Sequence, residues 1–132
     1  MRYIQGFFQF LGRFCLAVIF IIAGIGKIFT WDQTISYMTS HGVQWAEFLI
    51  IGAIIVEVLG GFALAFGIRP KLAATTLALF LIPVTYIFHA FWLIDDPAIK
   101  EGILVEFLKN LSIFGGLLLY IATPSQKKEN AS

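Results

Sequence analysis

The chain has 132 residues, of which 59% are hydrophobic and 13% charged, and its mean hydropathy is +0.88. So apolar a composition excludes an ordinary water-soluble domain, and the length leaves little room for one beside a membrane unit. A formal net charge of +1 supplies no field for recruiting nucleic acid, and the single cysteine, Cys15, can form neither an internal disulfide nor a thiol-exchange pair.

Four apolar runs predict membrane spans at about 10–28, 46–67, 72–94 and 103–122, each near the ~20 residues that a hydrocarbon core requires. Backbone polar groups in lipid must be satisfied within their own segment, so these runs are expected as helices. The expected fold is all-α: an integral membrane four-helix bundle, as a single domain over 1–132. The first run follows Arg2 and Arg13, as the apolar part of a secretory signal would. It is too long for that, lacks an A-x-A cleavage site and ends at Lys27, so it reads as a retained helix.

Between the first two spans, Asp32 is a candidate cap for a short helix at 33–41, with Gly42 as its stop. Trp31, Ile35, Met38 and Trp45 recur at helical spacing. That pattern fits a short interfacial helix over the bundle mouth, and it fits an aromatic-anchored loop equally well. The connection Ile68-Arg69-Pro70-Lys71 is a tight turn, which makes the second and third spans antiparallel neighbours. Pro70 suits a first helical turn, where its missing N–H costs nothing. Pro83 removes the donor for the Leu79 carbonyl and marks a place for a kink. Gly24, Gly26, Gly60, Gly61, Ala74, Ala78, Gly115 and Gly116 are small residues that would let helices approach closely.

Charge sets the expected orientation. Arg2, Arg13, Arg69 and Lys71, with Lys127 and Lys128 of the tail, fall on one side of a four-span topology, and Lys27, Lys100 and Lys109 on the other. The positive-inside rule then places both termini in the cytoplasm, with Arg13, Arg69 and Lys71 as inner-face charges.

Depth singles out Glu57. It lies ten residues beyond Glu47, so about 15 Å below the outer surface and near the midplane. A carboxylate there costs at least ~2.5–3.5 kcal/mol, so it is expected to face the interior with a partner, either Lys27, Lys109 or both. Arg13, Ala17, Phe20, Gly24 and Lys27 lie on one stripe of the first span, while Glu106, Lys109 and Asn110 cluster within one turn of the fourth. Thr85, Tyr86 and His89 share a face of the third. Lys27, Glu57, His89, Glu106, Lys109 and Asn110 are therefore expected to converge on the outer half of one interior. Such a cluster could lock helix register. It could also seat a small polar head group such as a quinone ring, with His89 or Glu57 exchanging protons. Haem is disfavoured, because His41 and His89 are the only histidines. No motif suggests a metal site or a phosphate loop.

These residues also carry a resemblance. Ala23-Gly24-Ile25-Gly26-Lys27-Ile28-Phe29, then Glu57-Val58-Leu59-Gly60-Gly61 with Gly67-Ile68-Arg69, then His89, and finally Phe107-Leu108-Lys109-Asn110-Leu111 with Gly115-Gly116 resemble the DoxX family in order and spacing over about 10–122. The resemblance implies a four-helix protein of the bacterial inner membrane linked to redox systems. The family's namesake is a small subunit of a thiosulfate:quinone oxidoreductase. A membrane subunit or anchor for a redox partner protein is the expectation, with the lipid bilayer as its surroundings and a quinone as a candidate cofactor that membership alone does not establish. Thiosulfate chemistry itself would come from another polypeptide, since this chain holds no thiol pair. A small proton-linked transporter and a purely structural membrane protein are the alternatives.

Overall fold

Each apolar run folds as a helix, because only a helix satisfies its own backbone donors and acceptors in an apolar surround. The computed structural model describes residues 1–124; the tail charges Lys127 and Lys128 lie outside the described residues. The elements are α1 (Arg2–Phe29), α2 (Trp31–Ser40), α3 (Ala46–Phe66), α4 (Pro70–Phe88), a 3-10 turn (Phe91–Leu93) and α5 (Pro97–Ala122). No strand occurs among the described residues. Four stretches are long and apolar enough to cross a membrane: α1, α3, α5 and Pro70–Leu93, which holds α4. The short α2 stands between the first two of them.

The helix ends differ from the hydropathy windows for local reasons. Helix α1 begins at Arg2, eight residues before the window at 10, since polar side chains such as Gln5 and Gln9 lower hydropathy without breaking a helix. Helix α5 begins at Pro97 rather than 103 because Asp96 caps it, its carboxylate accepting from the Ala98 N–H at 3.0 Å. Helix α4 runs through Pro83 but stops at Phe88, where the His89 N–H donates to the Thr85 carbonyl at 3.0 Å. The chain then leaves the helix, and the 3-10 turn docks Phe91 and Trp92 edge-on against Phe107 of α5. Helix α2 starts at Trp31, so Asp32 lies inside its first turn and is not the cap. The cap position is Thr30, whose hydroxyl donates back to the Gly26 carbonyl at 2.9 Å. Gly42 does end the segment, at φ 80. Of the expected stripe on α2, Trp31, Ile35 and Met38 pack with Ala46, Ile50 and Ile54 of α3, whereas Trp45 is exposed.

Small residues set the helix contacts. A Cβ on Gly24 would meet Val58 Cγ2 at 2.7 Å, and one on Gly61 would meet Ile21 Cγ1 at 2.7 Å, so α1 and α3 cross in near backbone contact. Leu77 of α4 packs on Gly60, and Leu16 of α1 on Gly116 of α5. Gly26 and Gly115 meet nothing within 4 Å. The main core gathers Phe20, Leu64, Ala74, Leu77, Ala78, Leu81 and Leu117, toward the end of the bundle that holds the α3–α4 turn.

The turn end is closed by cations. Helix α3 ends on Gly67 at φ 71, and a Cβ there would sit 2.7 Å from Arg13 Nη1, so the guanidinium fills the space a side chain would need. Arg69, at φ 43, is the N-cap residue of α4, and Pro70 follows as its first residue. The Lys71 ammonium folds over the end of α5. It donates to the carbonyls of Tyr120, Ile121 and Thr123 and lies 4.5 Å from the Tyr120 ring centroid. Those carbonyls lack helical donors, and a cation there also complements the helix dipole.

Candidate functional site

Near their turn, α3 and α4 pack directly through Gly60 and Leu77. Farther from it they leave between them a cavity of about 500 Å³, which α2 roofs. That volume falls within the ~300–1,000 Å³ usual for small-molecule sites. The walls are Gly52, Ala53 and Val56 of α3 with Phe80, Val84 and Phe88 of α4. Lys27, Glu57 and His89, with the Tyr37 phenol and the Thr34 hydroxyl, line this mostly apolar space.

Glu57 is 5% exposed. Lys27 reaches it from α1, with Nζ at 2.8 Å from Oε2 and 3.0 Å from Oε1. The contact follows from Gly24, one turn earlier on α1. A Cβ on Gly24 would meet the Glu57 Cβ at 3.0 Å, so only glycine lets the two backbones close to this range. Lysine carries three N–H donors and the carboxylate takes two, which leaves one for an oxygen in the cavity. His89 caps α4, and its Nδ1 is buried with no hydrogen-bond partner among the described residues. A buried polar nitrogen without a partner is uncommon, and a ligand atom would satisfy it.

The roof is aromatic. The Tyr37 ring stacks on Phe88 with centroids 5.4 Å apart and planes at 22°. His41 packs on Tyr37 at 4.3 Å, and its Nδ1 lies 2.8 Å from the Tyr37 carbonyl oxygen. Burial pushes the Tyr37 phenol above the usual tyrosine range, and the negative charge of Glu106 adds to the effect.

The other expected site residues sit elsewhere. Asn110 donates to the Thr85 hydroxyl at 3.0 Å and lines a separate, smaller cavity of about 180 Å³ with Tyr86, Trp92 and Phe107. Glu106 and Lys109 pair with each other at 3.2 Å on α5, with side chains 48% and 59% exposed. Helix α5 meets α1 at Gly116 and follows α4 from there, so its polar turn does not reach the ion pair. Glu57 thus takes Lys27 as its partner and not Lys109. Arg13, Arg69 and Lys71 all lie at the turn end. Thr34, Tyr37 and Gly52 line the cavity without having stood out in the sequence. Thr34 and Tyr37 share one face of α2, but nothing local announces that the face looks down on residues some fifty positions away. Among the described residues, no cluster of His, Cys, Asp and Glu could hold a metal ion.

Four apolar helices of membrane-spanning length, with an ion pair held between α1 and α3, define a multi-pass membrane protein with a polar site set inside its bundle. The chain belongs to the DoxX family, whose sequence profile matches residues 8–90. It is similar to the inner membrane protein YqjF of Escherichia coli (strain K12), with 33% identity over 114 residues, covering 86% of this chain and 81% of that protein. It is also similar to the inner membrane protein YphA of the same strain, with 28% identity over 113 residues, covering 86% and 80%. No solved structure matches. Family, relatives and helices together make this a multi-pass protein of the bacterial inner membrane.

Proposed function

We propose that the chain is a membrane subunit or anchor of a redox system, and that the α3–α4 cavity receives the head group of a quinone-class lipid. The observation that carries this reading is one mostly apolar cavity holding both a buried ion pair with a spare N–H and a buried imidazole nitrogen with no partner among the described residues. Fixed polar groups in an otherwise apolar space are what orient a lipophilic ring.

The residues divide the work by their chemistry. Lys27 can donate its free N–H to a ring oxygen, and Glu57 keeps that ammonium aimed and charged. His89 offers Nδ1 as donor or acceptor, according to its tautomer, at the other polar point of the cavity. Glu57 and His89 are the groups able to hold a proton close to a bound ring. A quinone, when bound, carries electrons and protons together; the electrons would come from a partner protein. The positive-inside rule, applied to Arg13, Arg69 and Lys71, favours both termini in the cytoplasm and puts the cavity in the outer half of the bilayer. The chain is read as one DoxX-like domain over 1–132.

Purification in a mild detergent, followed by organic extraction and identification of co-purifying proteins, tests the reading. Wild type should retain a quinone or a redox partner. Glu57→Gln and His89→Leu should lower quinone retention at unchanged folded yield. A pure chain that keeps neither quinone nor partner refutes it.

A further inference from the structure

The cavity does not end at its walls. A lipid-facing furrow of about 360 Å³ runs between α3 and α4 toward the turn, and Val56 lines both spaces. The helical spacing makes them one seam. On α3 the lining steps along Leu49, Gly52, Val56, Leu59 and Ala63; on α4 it steps along Leu72, Thr76, Phe80, Pro83 and Ile87. The furrow lies open along its length, since Leu59 is 64% exposed and Leu72 59%. The cavity mouth opens on the same side, where Leu49, Gly52, Pro83 and Ile87 are all exposed. Inside the cavity Glu57 is buried, and the Tyr37 ring, stacked on Phe88, forms part of the roof.

We infer that cavity and furrow form one bipartite site for a two-part lipid, which enters from the bilayer between α3 and α4. Its compact polar ring sits at Lys27, Glu57 and His89, and its hydrocarbon tail lies along Leu59, Leu72 and Thr76 toward Arg69. This rests on the cavity reading above and adds the course of the tail and the side from which the lipid enters. From Val56 to Ile68 the furrow is about 18 Å long at 1.5 Å per residue, enough for an extended tail rather than a methyl or a short branch. Fluid lipid is already apolar, so the tail gains nothing from leaving water. What holds it is dispersion contact with two fixed helix faces, an effect that needs the head to set its register.

Gly52 gives the mouth its width. A Cβ on it would meet nothing within 4 Å, so no helix contact demands a glycine there, unlike Gly24, Gly60 and Gly61. Of the helical glycines with such open surroundings, Gly52 is the one that lines the cavity. A larger side chain there would fill the mouth without forcing helices apart.

The test uses the full chain in liposomes with a benzoquinone probe whose decyl tail ends in a diazirine. After illumination the labelled residues are mapped by mass spectrometry. Wild type should carry label concentrated on Leu59, Ala63, Leu72 and Thr76, and Glu57→Gln, which disturbs the head site, should lower it by about tenfold, equivalent to ~1.4 kcal/mol. Gly52→Leu should do the same at unchanged helicity, while Gly102→Leu on α5, also with nothing within 4 Å, should label like wild type. Label spread evenly over α1, α5 and the furrow in wild type overturns the tail track. So does furrow label that persists in Glu57→Gln, which would mark a groove for any membrane lipid. In either case, probe retention that still depends on Glu57 and His89 leaves the cavity reading standing, and its loss takes that reading down as well.

Discussion

Replacing Lys27 by methionine isolates the interaction on which the site is built. The substitution preserves length and apolar contact but leaves Glu57, only 5% exposed, without its cation. Removing one partner of a buried pair costs about 3–5 kcal/mol. The carboxyl has an escape: it can be carried as the neutral acid. At about 1.36 kcal/mol per pH unit, neutralising a glutamate of ordinary pKa ~4.3 costs about 3.7 kcal/mol at pH 7. That figure caps the loss, so Lys27→Met should destabilise the protein by about 3–4 kcal/mol at pH 7. At pH 5 the same argument leaves about 1 kcal/mol. The sign is fixed, because acid supplies the proton that the missing ammonium no longer makes unnecessary. Lys27→Met combined with Glu57→Leu removes both charges and should recover most of the loss, giving a coupling of about 2–3 kcal/mol between the two sites. Reversible unfolding in mixed detergent micelles, followed by far-UV circular dichroism, measures all of these at both pH values. Single-mutant losses that simply add, or a Lys27→Met loss that is the same at pH 5 and pH 7, would show that the pair does not hold the fold as described.

Further outcomes follow from other contacts. Gly61→Leu should cost about 1–3 kcal/mol or more by overpacking against Ile21 and the Ala17 carbonyl, whereas Gly26→Leu, with open space around it, should be close to neutral in the same unfolding assay. Asn110→Leu alone should cost about 1 kcal/mol by stranding the Thr85 hydroxyl; adding Thr85→Val should return most of it, and probe binding in the α3–α4 cavity should be unaffected by either. Tyr37, whose phenol is held above its usual range by burial and by Glu106, should ionise above the ordinary tyrosine range in an alkaline absorbance titration, and Tyr37→Phe should remove that component. Because the folded pKa is the higher one, the associated stability is present below about pH 10 and is lost as the pH rises further.

The sequence determined by itself whatever depends on near neighbours along the chain. Apolar length made the spans, Pro70 opened α4, Gly42 ended the α2 segment, and the tight Arg69 turn made α3 and α4 adjacent. The depth of Glu57 required a cation, because a lone carboxylate near the midplane is too costly whichever fold surrounds it. Its partner was beyond such reasoning. Lys27 and Lys109 are equally apt by charge, and the choice fell to the crossing of α1 and α3 at Gly24, which brings one lysine within 3.0 Å of the carboxylate. The turn holding Glu106, Lys109 and Asn110 has the period of a buried face, yet α5 meets α1 only farther along, at Gly116, and those residues pair on α5 or with Thr85 instead. The cavity, its Tyr37 roof and the mouth at Gly52 exist only because three helices and a short fourth arrive together. Helical period tells which residues share a face; what that face meets is set by helix crossing, and crossing is a property of packed pairs rather than of any one segment.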